Sequence, residues 1–237
     1  MKNVVTTKTK KLDIRSFVCE HRHRVFTCKD GGEACTHLSC WEKARLKNQK
    51  VLYLDIEASQ LKADFGVCLA WCAKERDKNI FYSAAINEED VALSKRLGKV
   101  VTDRRIMKEL ADVLPKYDII VCHYGTIQRG LDVRFLRTRF LKFGIKFPVY
   151  RQMFGLDTYL LAKYKLDLHS NRLDVIAKFL GAPEQKSEIN PDDWILAGYG
   201  LKKSIAYVMK HNKIDVEVLE FVHKKLEPYG NLGSVSI

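Results

Sequence analysis

The segment VLYLDIEA (residues 51–58) decides how the rest of the chain is interpreted. It is a short apolar run with β-branched and aromatic members, and this composition predicts a buried central strand. Asp55 and Glu57 stand at positions i and i+2, so both side chains project from one face of that strand. Two carboxylates at the end of a buried strand repel each other and lose hydration, and a divalent cation between them would remove both penalties. The alternative is an alternating strand whose polar face meets water.

The remainder of the chain from Lys50 onward predicts one α/β domain over residues 50–237. Further strands are predicted over residues 65–73, 79–86, 118–124 and the first part of 154–165. Helices are predicted over residues 103–117, 131–144, the rest of 154–165, 170–181 and 201–226. Asp103 is expected to cap the first helix, and Ser170 or Asn171 the helix that ends at Gly181. Three strands followed by strands that alternate with helices favour a mixed sheet with helices on both faces.

The charge balance points to a polyanionic partner. The 237 residues include 41 Lys and Arg against 29 Asp and Glu, which gives a formal net charge of +12. Such a surplus attracts nucleic acid, although it also serves general solubility. Residues 1–18 form a basic arm without the continuous apolar segment of a secretory signal, and no apolar run approaches the ~20 residues that span a bilayer. We therefore expect a cytoplasmic protein that does not bind membranes.

The seven cysteines divide into two groups. Cys68, Cys72 and Cys122 lie in apolar predicted strands, and we expect them to pack in the core. Residues 19–49 hold the other four together with three histidines, and offer these potential zinc ligands: Cys19, His21, His23, Cys28, Cys35, His37 and Cys40. The set Cys19, His21, His37 and Cys40 is compatible with a small tetrahedral zinc knuckle. The alternative is a metal-free segment that packs on the main domain.

Two further aspartates and a histidine occupy suggestive positions. Asp132 opens a predicted helix, and Asp215 lies in the last helix with His211 one turn before it on the same face. Taken singly, Asp132 is a helix N-terminal acid favoured by the macrodipole and His211 a histidine at the edge of the core. Taken together with Asp55 and Glu57, they predict one acidic site.

Three segments of the chain resemble the exonuclease motifs of DEDD nucleases in the ribonuclease H-like superfamily. They are DIEAS from residue 55, HYGTIQRGLDVRFLRTRF from residue 123 and HNKIDVEVLEFV from residue 211. The likeness is greatest to the stand-alone branch related to the exonuclease domain of family B DNA polymerases, found in phages, archaea and their viruses. It covers about residues 51–226. The chain departs from that branch at His211, where Tyr is usual, and at Tyr124, where Asn follows the histidine.

The resemblance implies a ribonuclease H-like fold and a 3′→5′ exonuclease that uses two Mg²⁺ or Mn²⁺ ions. Asp55, Glu57 and Asp215 would surround one ion, and Asp55 would bridge to the second, with Asp132 contributing directly or through water. His211 would accept a proton from the attacking water or only orient it. The substrate would be a 3′ end, with single-stranded DNA favoured, and replication or repair proteins could act with it in trans. A ribonuclease H-like endonuclease and a non-cleaving nucleic-acid-binding protein are the alternatives.

Several residues outside the motifs are candidates for supporting roles. Asp157 is predicted to cap a helix. Basic residues at the start of the last helix could contact phosphates, and exposed aromatics could stack on bases. The candidates are Lys202, Lys203 and Lys210 for phosphates, and Tyr124, Phe65 and Tyr207 for bases.

Overall fold

Six strands of the computed structural model form one mixed sheet, in the order β3-β2-β1-β4-β5-β6. Strand β1 pairs antiparallel with β2 and parallel with β4, so it lies inside the sheet as the sequence predicts. Strands β4 and β5 are parallel, whereas β3 and β6 add antiparallel edges. The strands are β1 (Val51–Ala58), β2 (Cys68–Glu75), β3 (Phe81–Ala85), β4 (Ile119–Cys122), β5 (Phe154–Asp157) and β6 (Val235–Ser236).

Helices cover both faces of this sheet, and the predicted fold class is confirmed. They are α1 (Glu88–Leu97), α2 (Arg104–Val113), α3 (Asp132–Lys142), α4 (Thr158–Lys165), α5 (Leu173–Leu180), α6 (Pro191–Gly198) and α7 (Lys202–Leu226). Single 3₁₀ turns follow α2 and α7. Among the residues that the structure describes, no helix has the length and apolar composition needed to cross a bilayer.

The structure describes residues 49–126, 130–149, 152–183, 189–230 and 235–236. All of these except Gln49 belong to a compact unit, Lys50–Ile237. The predicted basic arm and the Cys/His segment, with Cys19, His21, His37 and Cys40, lie outside the described residues. Zinc binding there therefore stays a prediction.

The two faces of β1 meet different partners. Leu52, Leu54 and Ile56 belong to the main apolar core, together with buried residues of α2 and α3. The alternate residues point to the opposite face, where α7 packs across β1 and β2. A smaller apolar cluster joins α4, α5 and α7. Because a strand alternates its side chains, a single local pattern thus supplies both the core and the face that carries the acids.

Strand β2 and two helices differ from the sequence predictions. Strand β2 begins at Cys68 rather than Phe65, because residues 59–67 form a tight loop in which the amide of Gly66 donates to the carbonyl of Lys62. Helices α1 and α6 were not predicted, although both carry recognisable start signals. Asn87 and Asp90 form a capping box at α1, and Asn190 caps α6 ahead of Pro191.

The predicted caps of α2 and α5 are also corrected. Asp103 precedes α2 but makes no capping hydrogen bond, since its carboxylate instead pairs with Arg139 in the core. Helix α5 begins at Leu173, after Arg172 rather than after Ser170 or Asn171. Its predicted end is confirmed, because Gly181 follows the last turn in the left-handed conformation with φ 75°.

A buried histidine ties the first strand to the last helix. The Tyr53 hydroxyl donates to His223 Nδ1 over 2.9 Å, and the neutral imidazole accepts this bond. Burial lowers the pKa of His223 to about 4. Of the neighbouring charges, those of Glu227 and Glu220 raise this pKa and that of Arg76 lowers it, but burial outweighs them.

We expect His223 to make the protein less stable as the pH falls from about 6.5 to about 4. The unfolded chain takes up this proton near its ordinary pKa, whereas the folded chain resists it, so acid favours unfolding by roughly 3 kcal/mol over that window. Urea unfolding at pH 7, 5.5 and 4.5 measures the effect. His223→Gln should flatten the dependence in this range, and exposed His169→Gln should leave it as in the wild type. Equal pH dependence in His223→Gln and the wild type would contradict the assignment.

Candidate metal centre

Three of the four predicted carboxylates converge in space. Asp55 and Glu57 come from β1 and Asp215 from α7, and one ligand oxygen of each lies within 4.8 Å of the others. Asp215 is 3% exposed, and the two strand acids are half-buried. The face of β1 opposite the main core is covered by α7, which explains how residues 158 or more positions apart in sequence become neighbours.

An asparagine that sequence reasoning missed orients one of these acids. Asn212 Nδ2 donates to Asp55 Oδ2 over 2.6 Å, and the Asn212 side chain is fully buried. Asn212 stands three residues before Asp215, so both lie on the same side of α7. Its Oδ1 is buried and has no hydrogen-bond partner in the described part of the chain. The signal was present in the segment HNKID, where Asn shares the helix face of the motif aspartate.

Asp132 lies beside this group rather than within it. It opens α3, is 5% exposed, and its Oδ2 has no hydrogen-bond partner among the described residues. Burial raises the pKa of Asp132 well above its usual range, and the nearby charges of Asp55 and Asp157 raise it further. The structure therefore places Asp132 within electrostatic reach of Asp55, while leaving it outside the close triad.

The loop before α3 is built to bring Asp132 inward. The carbonyl oxygens of Tyr124 and Gly125 accept the amides of Leu131 and Val133, on either side of Asp132. A Cβ at position 125 would overlap the Asp132 carboxylate, so only glycine permits this approach. The glycine that follows His123-Tyr124 is thus a requirement of packing.

The donor set fits a hard divalent cation. All three close ligands are carboxylates, and Mg²⁺ and Mn²⁺ prefer oxygen ligands. A cation at Asp55, Glu57 and Asp215 would offset their mutual repulsion and would favour the charged form of Asp132. The unpartnered, buried Asp132 Oδ2 is the kind of atom that a cation or its bound water would satisfy.

His211 occupies a buried position on α7. Its ring is 3% exposed and packs edge-on against Tyr207, with ring centroids 4.4 Å apart, and against Trp194 at 6.1 Å. It lies one helical turn before Asp215. Its predicted action on the attacking water stays a prediction.

Asp157 is confirmed as a helix cap and does more than cap. Its Oδ1 accepts the amide of Tyr159 at the start of α4. The same carboxylate accepts the amides of Tyr124, Gly125 and Thr126 over 2.9–3.0 Å. Asp157 therefore holds the loop that leads toward Asp132.

A cavity of about 430 Å³ opens next to the carboxylates. Asp55 and Asp215 border it on one side, and His123, Tyr124, Tyr159 and Arg172 are among its other lining residues. Of the aromatics predicted to contact bases, Tyr124 lies in this cavity, Phe65 is 81% exposed in the loop after β1, and Tyr207 packs on His211. Lys202, Lys203 and Lys210 are exposed on α7.

Comparison with protein families supports this arrangement. A family model described as the RNase H superfamily matches residues 52–227, which run from β1 to the end of α7 and include all four carboxylates. The chain belongs to the RNase H superfamily. Membership indicates metal-dependent nuclease activity and a nucleic-acid substrate, and the carboxylate triad provides a site for the metal. A search of curated proteins found no match to the chain.

Proposed function

We propose that this RNase H superfamily protein is a 3′→5′ exonuclease that releases nucleoside 5′-monophosphates from nucleic acid, with single-stranded DNA as the favoured substrate. The observation that carries the proposal is the convergence of Asp55, Glu57 and Asp215 within 4.8 Å. The exonuclease direction is supported by the resemblance of the segments at residues 55, 123 and 211 to the three DEDD motifs, in the same order.

The side chains have separable tasks in this proposal. Asp55, Glu57 and Asp215 would hold divalent cations, with Asp132 beside them directly or through water. Such cations, when bound, lower the pKa of a water molecule and stabilise negative charge on phosphoryl and leaving oxygens. Asn212 fixes the orientation of the Asp55 carboxylate through its 2.6 Å hydrogen bond. His211 accepts a proton from the attacking water or positions it.

The basic surface supports a nucleic-acid substrate. The formal net charge of +12 favours association with phosphates through release of their counterions. Exposed Lys202, Lys203 and Lys210 lie on the same helix as Asp215. We therefore expect binding to weaken steeply as the salt concentration rises.

End-labelled substrates test the reaction directly. Single-stranded DNA with a 3′ label, incubated with Mg²⁺ or Mn²⁺, should release labelled mononucleotide first, and a 5′ label should show stepwise shortening. Circular single-stranded DNA should resist, and EDTA should stop the reaction. Cleavage of the circle would favour an endonuclease, whereas binding without cleavage in either metal would favour a nucleic-acid-binding protein. Matched RNA and mispaired duplex ends compare substrates.

A further inference from the structure

We propose that the cavity beside the carboxylates binds the terminal nucleotide of the strand, and that its base stacks on the ring of Tyr124. The proposal rests on the proposed exonuclease function and adds the site that receives the end of the substrate. Two observations suggest it. The cavity shares Asp55 and Asp215 with the candidate metal centre, and Tyr124 stands in it with a backbone conformation that tyrosine seldom adopts.

The backbone of Tyr124 is strained and is held in place by its surroundings. Its φ of 57° lies in the left-handed region, which is unfavourable for a bulky side chain. The Asp157 carboxylate accepts the amides of residues 124, 125 and 126, and so maintains this conformation. Strain of this kind concentrates at ligand sites. The Tyr124 side chain is nevertheless 41% exposed, so burial of the ring does not account for the conformation.

A second tyrosine is positioned by the same acid. The amides of Tyr124 and Tyr159 both donate to Asp157 Oδ1, over 2.9 and 3.0 Å. The two rings meet edge to face, with centroids 4.8 Å apart and an interplanar angle of 73°. Tyr124 is thus held by hydrogen bonds to its backbone and by a ring contact. A ring held in place before binding loses little conformational entropy when a base stacks on it.

The opposite wall of the cavity is fixed by His123. Its Nε2 donates to the carbonyl oxygen of Asn171 over 3.0 Å, while its Nδ1 lies 2.9 Å from the Thr158 hydroxyl. These contacts attach the segment before α5 to the start of α4. That segment presents Arg172, whose side chain is exposed, to the cavity. A guanidinium at this position suits a phosphate.

The combination of features selects one kind of occupant. The cavity volume of about 430 Å³ falls within the range of roughly 300–1,000 Å³ that small-molecule sites occupy. An aromatic platform, a guanidinium and carboxylates suited to a metal match, respectively, the base, the phosphate and the scissile phosphodiester of a nucleotide. A strand end placed here brings its last phosphodiester to the carboxylates, as removal of single nucleotides requires.

Two substitutions separate the ring of Tyr124 from its backbone. Tyr124→Asn removes the ring but keeps a residue that tolerates the left-handed region, and Tyr124→Phe keeps the ring. The substrates are single-stranded DNA decamers that end in deoxyadenosine or in an abasic residue. Tyr124→Asn should raise the KM for the first about 5- to 150-fold, leave cleavage of the abasic end at the wild-type rate, and leave Tyr124→Phe near wild type.

An equilibrium measurement keeps the inference separate from the reaction. Calorimetry with Mn²⁺ compares binding of dAMP and 2-deoxyribose 5-phosphate to the full chain. Tyr124→Asn should weaken only dAMP, by a similar factor, even if the wild type cleaved neither decamer and the proposed function failed. Equal loss for both ligands, equal loss for both decamers, or no change in any assay would overturn the assignment of Tyr124.

Discussion

Asp215→Asn is expected to lower the rate of phosphodiester hydrolysis by on the order of 10²–10³-fold or more. The substitution removes one of three carboxylates whose oxygens lie within 4.8 Å of one another, and with it a full ligand charge. Loss of a single group that stabilises charge in a transition state has effects of this size. Initial rates of mononucleotide release from 3′-labelled DNA measure it.

A thermal-shift measurement tests the metal role without any substrate. Mn²⁺ that binds only the folded chain should raise the wild-type Tm in a concentration-dependent way, and the rise should be much smaller in Asp215→Asn. The matched control is Asp112→Asn, which changes an exposed aspartate of α2 in the same manner. It should keep both the activity and the Mn²⁺ shift. An Asp215→Asn protein with wild-type activity would exclude the acidic cluster as the catalytic centre.

Arg139→Met is expected to reduce the free energy of unfolding by about 3–5 kcal/mol. Arg139 and Asp103 form a fully buried ion pair, with Nη2–Oδ1 and Nε–Oδ2 distances of 2.5 and 2.7 Å. Arg139 Nη1 also donates to the carbonyl of Ala63, and Asp103 Oδ2 accepts the amide of Cys68. Removing the guanidinium leaves a carboxylate in the core without a counter-charge, which is costly.

Urea denaturation measures this loss, and two further proteins define its cause. Asp103→Asn in the Arg139→Met background removes the stranded charge and should recover part of the stability. Glu109→Gln weakens an exposed ion pair with Arg105 and should change the unfolding free energy by less than about 1 kcal/mol. If Arg139→Met resembled Glu109→Gln, the buried pair would not be a stabilising element.

The central strand and its two acids could be predicted because the signal is local. The alternation of side chains along residues 51–58 depends only on the strand itself, so Asp55 and Glu57 could be assigned to one face before any packing was known. Asp215 and Gly181 were likewise recognisable from helical spacing and from end signals. Helices α1 and α6 carried comparable start signals at Asn87 and Asn190, and could have been predicted by the same reasoning.

The contacts between distant segments could not be predicted in this way. Asp103 was expected to cap α2, because a polar residue before a helix usually does so, yet its partner Arg139 stands 36 positions away. Asn212 reaches Asp55 across 157 positions. Tyr124 and Tyr159 meet because one carboxylate, Asp157, accepts an amide from each. Each of these pairs exists only after α7, α3 or α4 has packed on the sheet.

The chain alone therefore determines which residues carry charge and on which face of their own element they stand. The packed fold decides which faces meet, and with that the grouping of Asp55, Glu57 and Asp215, the adjacent position of Asp132 and the cavity at Tyr124. The physical reason is that side-chain direction within a strand or helix follows from backbone geometry, whereas contacts between elements follow from burying their apolar faces together.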